Sequence, residues 1–161
     1  MLITKMITWS YLAGFLDADG WITWSKTISK TGRLNTHYQV GMTQLDTFRK
    51  HMENIHQFLL EEGINAFICE RKQTSNIPGT GNMINVGVKE TKSLILFLER
   101  ISDHLLIKRE KALIALNGLK AKLAMRQLEA SCVKTQAKRR YWKPDELEKL
   151  HELRSKGYRN S

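Results

Sequence analysis

The residues best suited to chemistry lie in Leu12-Ala13-Gly14-Phe15-Leu16-Asp17-Ala18-Asp19-Gly20, where a helical stretch runs into an alternating one. Asp19 falls at the C-terminal end of that helix, where the backbone dipole disfavours an anion and a carboxylate calls for a compensating charge. A divalent cation held by carboxylate oxygens meets that need. Ser10, Gly14 and Ala18, spaced by four, form a stripe of small residues on the same helix. Such a stripe lets a second helix approach until the backbones nearly touch. Taken singly, an Asp-x-Asp-Gly turn and a small-residue stripe also have ordinary structural readings. Together they place an acid fit for cation binding beside a seam fit for helix pairing.

The surrounding elements follow from periodicity. Trp9, Leu12, Ala13 and Leu16 predict a helix over Trp9–Ala18. In Trp21–Ile28 the even positions Ile22, Trp24 and Ile28 are apolar, with Lys26 the exception, and in Thr36–Thr43 Tyr38, Val40 and Met42 look inward. The polar turn Ser29-Lys30-Thr31-Gly32-Arg33 joins them into an antiparallel hairpin with one dry and one wet face. Asp46 is the expected N-cap of a helix carrying Phe48, Met52, Ile55 and Leu59, with Gly63 as its stop. Ile64, Ala66 and Ile68 alternate with Asn65, Phe67 and Cys69, and Met83–Val88 reads as the return strand; Thr74–Asn82, with Pro78, Gly79 and Gly81, reads as a mobile connection. Helical spacing resumes from Glu90 to about Gln127, with a break near Ser102-Asp103. The expected fold is α+β: one curved four-stranded antiparallel sheet with all helices on its dry face. After Ala130 the composition shifts to a basic linker and a short helix over Pro144–Lys156, ended by Gly157, with Leu147, Leu150 and Leu153 apolar. The expected division is therefore a core over 1–130 and a basic C-terminal appendage over 131–161.

Charge narrows the partner. The 161 residues hold 26 Lys+Arg against 16 Asp+Glu, a net charge of +10, which favours a polyanion. The basic residues are spread along the chain rather than set opposite one apolar stripe, so nucleic acid is favoured over a membrane surface. The longest aliphatic and aromatic run, Leu94–Leu98, is too short to cross a bilayer, and no basic segment leads into an apolar stretch at Met1–Lys5. Cys69 and Cys132 are too few for a disulfide framework or zinc knuckle. An intracellular setting, prokaryotic cytoplasm or organelle, is expected, and no small-molecule substrate.

Leu12–Gly20 resembles the signature of the LAGLIDADG homing endonucleases, with seven of nine letters identical and Phe15 and Leu16 conservative replacements. The order of elements over roughly 5–125 also resembles that family's αββαββα core. The resemblance implies phosphodiester hydrolysis supported by Mg²⁺, or another divalent cation such as Mn²⁺. In such a site the carboxylate of Asp19 and the carbonyl of Ala18 would lie at the metal. It assigns Gln44 to the neighbourhood of the active-site waters and Lys108 to steadying the attacking water; where relatives carry a basic residue after the second strand, this chain has Phe48, with Arg49 beside it. Only one motif is present, so one chain supplies one acid; cleaving two strands needs two, and a C2 homodimer supplies them. Ser10, Ala13, Gly14, Asp17 and Ala18 are the expected interface. A gene lying within an intron or intein would fit this reading.

The wet face would then read the major groove, which admits a two-stranded ribbon and shows a distinct pattern for each base pair. Alternation nominates Thr23, Ser25, Thr27, Ser29, Asn35, His37 and Gln39, then Phe67, Cys69, Arg71 and Gln73; on the return strand the choice between Asn82 and Asn85 is open. Lys26, Lys30, Arg33 and Lys72 are placed at phosphates, and Lys138, Arg139 and Arg140 of the tail outside the core. Two subunits would read a long, partly palindromic site in double-stranded DNA. Competing readings are a non-catalytic binder on the same scaffold, either an intron RNA maturase or a transcription regulator, and, more remotely, a basic module for an acidic protein.

Overall fold

A computed structural model describes residues 7–30, 32, 34–72, 81–134 and 144–158. Helix α1 (Trp9–Asp19) begins at Thr8, whose hydroxyl accepts the N–H of Tyr11, and buries Leu12, Ala13 and Leu16. At its far end the N–H of Gly20 reaches the carbonyl of Leu16. A Cβ on Gly20 would lie 2.7 Å from the Leu16 Cα and from its carbonyl oxygen, so only glycine lets the helix turn straight into strand β1 (Gly20–Ile28). Strand β2 (Leu34–Leu45) returns antiparallel, with Gly20 opposite Met42 and Ile28 opposite Leu34.

A 3₁₀ turn at Asp46–Phe48 leads into α2 (Arg49–Glu61), and Gly63, at φ +76°, ends that segment. Strands β3 (Ala66–Arg71) and β4 (Met83–Val88) complete one four-stranded antiparallel sheet in the order β1-β2-β4-β3. Helices α3 (Thr91–Ile101), α4 (Arg109–Lys134) and α5 (Pro144–Tyr158) follow, with a 3₁₀ turn at Ser102–His104 where a break is expected. The expected α+β architecture is observed.

The core lies between the sheet and the helices. Across the inner face run Ile22, Val40, Val88 and Ala66 in one row, and Met42, Val86 and Ile68 in the next. Leu12 and Leu16 of α1, Met52, Ile55 and Leu59 of α2, and Leu94, Phe97 and Leu98 of α3 close over them, all essentially without solvent exposure. Each such side chain contributes about 1.5–3 kcal/mol of burial.

Several expectations are corrected. Ile28, expected to face inward, is 75 % exposed, because the β1–β2 hairpin extends beyond the helices that would cover it. Phe48 is 54 % exposed and belongs to the 3₁₀ turn, not to the apolar face of α2. Asp46 makes no side-chain cap bond to α2; its carboxylate pairs with Arg49 instead. Helix α4 runs to Lys134, past the expected end of helical spacing near Gln127, because residues 127–134 contain no Gly or Pro. Most of the 74–82 connection, with Pro78 and Gly79, lies outside the described residues. Among the described residues no helix is long and apolar enough to cross a membrane.

Candidate functional site

The open end of the sheet is where α1 hands over to β1. Because Gly20 pairs with Met42, β2 runs on past the beginning of β1. Gln44, two residues along on the same face as Met42, therefore stands beside the last residue of α1. Its amide Nε2 donates to Oδ2 of Asp19 at 2.8 Å. Asp19 is exposed, and among the described residues no hydrogen bond engages its other oxygen. That oxygen is a free hard donor at a position where the helix dipole favours a cation. Ala18, beside it, is also exposed. Among the described residues no three His, Cys, Asp or Glu side chains converge, so this chain offers one acid at the site, not a closed cage.

The end of α1 is clamped from the other side. Asp17 accepts the backbone N–H groups of Leu106 (2.8 Å), Ile107 (3.2 Å) and Lys108 (2.9 Å), which lead into α4. Partial burial raises the pKa of this carboxyl. The three N–H donors and the Lys108 charge outweigh that effect and hold it below the usual carboxylate value. Lys108 reciprocates: its Nζ donates at 2.6 Å to the carbonyls of Leu16 and of Asp17. A cation on the last carbonyls of a helix offsets the negative end of its dipole. The Lys108 ammonium expected at the attacking water is thus engaged in holding the turn that carries Asp19.

The stripe of α1 is divided. Ser10, Gly14 and Ala18 are exposed, and a Cβ on Gly14 would meet nothing within 4 Å. Ser10 shares a 3.1 Å hydrogen bond with Nδ1 of His104. Ala13, by contrast, is completely buried in its own core and not open to a second helix as expected, while the half-buried Asp17 is bound to the segment that leads into α4. Leu106 and Ile107, held beside α1 by Asp17, are 89 % and 78 % exposed.

The outer face of the sheet presents the expected alternate residues in register. Thr23 is opposite Gln39, Ser25 opposite His37, and Thr27 opposite Asn35, with Thr27 Oγ1 3.1 Å from His37 Nε2. Cys69 and Arg71 are exposed on β3. Cys69 is in one row with Asn85 and Thr43, and the Thr43 hydroxyl donates to Asn85 Oδ1 at 2.7 Å. Asn85 is thereby the asparagine of the outer face, while Asn82 donates to Glu70 Oε1 at 3.0 Å. Between these rows lies one that sequence reasoning missed in part: Trp21, Gly41, Gly87 and Phe67. Cβ atoms on the two glycines would come within 2.8 Å of Trp21 Cη2 and of Phe67 Cζ, so each ring lies on a glycine. A glycine facing an aromatic across two strands was the available signal. Lys26, Lys30 and Lys72 are exposed at the margins, with Ser29 in the hairpin turn. Arg33, Gln73, Lys138, Arg139 and Arg140 lie outside the described residues.

This architecture is that of the LAGLIDADG homing endonucleases. The homing endonuclease I-CvuI, solved with its target in the presence of calcium, superposes with a TM-score of 0.57 at 22 % identity, covering 90 % of this chain and 93 % of that one. The archaeal intron-encoded I-Vdi141I, solved with DNA, gives 0.54 at 20 % identity, with 92 % and 95 % covered. The meganuclease I-SmaMI, bound to DNA, gives 0.58 at 18 % identity; 96 % of this chain covers 45 % of that one. No family model matches the sequence, and no curated protein matches it.

Proposed function

We propose that this chain is a site-specific DNA endonuclease that works as a homodimer and hydrolyses phosphodiesters with a divalent cation. The observation that carries the proposal is the Gln44–Asp19 hydrogen bond, which fixes one exposed carboxylate at the end of α1, where β1 begins. Solved neighbours of the same fold are DNA complexes, one of them prepared with magnesium.

The residues fit the cation. Asp19 offers a hard oxygen not used in the fold, and the Ala18 carbonyl is adjacent. Mg²⁺ or Mn²⁺, when bound, would lower the pKa of water and stabilise the leaving 3′ oxygen. The protein's own contribution is positioning. Gln44 sets the carboxylate rotamer, while Lys108 and Asp17 lock the helix end. One acid per chain calls for a second copy, and the exposed Ser10–Gly14–Ala18 stripe flanked by Leu106 and Ile107 offers the surface for it. The outer rows would read bases, with Gln39 suited to adenine and Arg71 to guanine. Residues 131–161, with α5, are proposed as an appendage to the core.

The test is selection of cleaved duplexes from a randomised pool with Mg²⁺, followed by Asp19→Asn on a recovered site. Loss of nicking with binding kept supports the proposal. Tight binding by the unmutated chain with no cleavage points instead to a regulator or maturase on this scaffold.

A further inference from the structure

Strand β4 stops at Val88, opposite Val40, so among the described residues Leu34–Gln39 of β2 have no strand on that side. A groove of about 630 Å³ runs along this bare edge. Four cations line it: Lys89 and Lys92 at the start of α3, Lys122 and Arg126 on α4. Its one carboxylate, Glu90, is already consumed, accepting from the Ser93 hydroxyl and from the backbone N–H groups of Ser93 and Lys92. Among the described residues none of the four cations stands in a salt bridge.

The Lys122 ammonium rests on the carbonyl of Thr36. Burial, and then the neighbouring charge of Arg126, push its pKa down, the condition of an ammonium without an anion. Thr36 is 4 % exposed, and its hydroxyl has no hydrogen-bond partner. Concentrated, uncompensated positive charge in a concave site draws an anion. The groove opens past His37 and Gln39 onto the outer face of the sheet. An occupant must be slender enough to pass round a strand edge and must carry its charge there.

We propose that this groove is a phosphate site, and that it takes a phosphodiester of the DNA strand lying across the outer face. The DNA source rests on the function proposed above; the anion chemistry does not. Lys122 and Arg126 meet the phosphate from α4, and Lys89 and Lys92 from the other wall. The contact is blind to sequence and sets how the duplex sits on the sheet.

The test measures affinity for a long mixed-sequence duplex as a function of salt, for the unmutated protein, Lys122→Met/Arg126→Gln, Lys92→Gln and Lys120→Gln. Lys120 is the control, on the same helix but paired with Glu99. Lys92 is exposed, so its replacement cannot unfold the chain. Each lost phosphate contact should flatten the slope of log K against log salt by about 0.9. The double variant should flatten it by about 0.9, Lys92→Gln by a smaller amount, and Lys120→Gln should not flatten it. Equal slopes for all four proteins overturn the DNA assignment. A parallel titration with inorganic phosphate follows the amides of residues 89–93 and the Trp24 indole by NMR. Shifts there without duplex binding would retain the anion site and refute the nuclease reading. No shifts together with equal slopes would remove the site altogether.

Discussion

Replacing Gly14 by leucine separates the monomer from the assembly. In the single chain the substituent enters open space, since nothing lies within 4 Å of the new Cβ. Gly14 is interior to α1, and exchanging glycine for a good helix former there gains about 0.8–1 kcal/mol. For a chain of this size that is a rise in Tm of about 2–4 °C. In the proposed dimer the same side chain would fill the space through which the partner helix must approach, and overpacking a close contact costs about 1–3 kcal/mol or more on each side of the symmetry axis. Thermal unfolding over a roughly hundredfold range of protein concentration resolves the two effects, because association makes Tm concentration-dependent. The unmutated protein should gain Tm with concentration and sediment as a dimer. Gly14→Leu should show a flat, concentration-independent Tm that lies above that of the unmutated protein at the dilute end. If Gly14→Leu dimerises as well as the original, or melts lower when dilute, the stripe is not the seam and the argument for paired acids fails.

Gln44→Ala should leave duplex affinity within about twofold but slow cleavage about 10²-fold and raise the Mg²⁺ needed, since the carboxylate loses the side-chain bond that restrains it. Unchanged cleavage at limiting Mg²⁺ would remove Gln44 from the site. Asp17→Asn should destabilise the fold by about 1 kcal/mol after allowance for partial exposure, read by urea unfolding at neutral pH. Its pKa is lower folded than unfolded, so its stabilisation is complete above the unfolded value near 3.8 and disappears as pH falls below it through the folded pKa. The unmutated protein should therefore lose more stability than Asp17→Asn over that acid range, and parallel curves would contradict the clamp. Gly41→Ala pushes a methyl into Trp21 and should cost about 1–3 kcal/mol, with a changed indole fluorescence; a neutral outcome would mean that the ring does not rest on the glycine.

The hairpin faces were legible because β1 and β2 alternate over Thr23–Thr27, with Lys26 the exception, and over Asn35–Gln39, and a period of two admits only one outward set. How far the helices reach is not written in alternation, which is why Ile28 looks like core and is not. Ala13 belongs to two expectations at once, the helix-pairing interface and the apolar face of α1; a helical wheel cannot choose between adjacent positions, and packing chose the core. Gln44 and Asp19 are 25 residues apart and meet only because the β1–β2 register offsets the strand ends. Without the family resemblance that meeting would have gone unseen. The contact of Asp17 with Leu106–Lys108 joins chain segments some 90 residues distant, and no local spacing encodes it. Asn85 was chosen over Asn82 by its neighbour Thr43, a fact of strand pairing.

The glycine-seated rings set a boundary on how this surface can change. Trp21 and Phe67 are wedded to Gly41 and Gly87, so these four positions must vary as couples or not at all. Thr23, Ser25, Thr27 and His37 support no core, and exchanges at such solvent-facing positions usually shift stability by no more than about 0.5 kcal/mol. The sheet is thus a fixed typeface frame with interchangeable letters. A combinatorial library confined to those four positions should remain almost wholly folded, while Asp19, just ahead of Gly20, is left untouched.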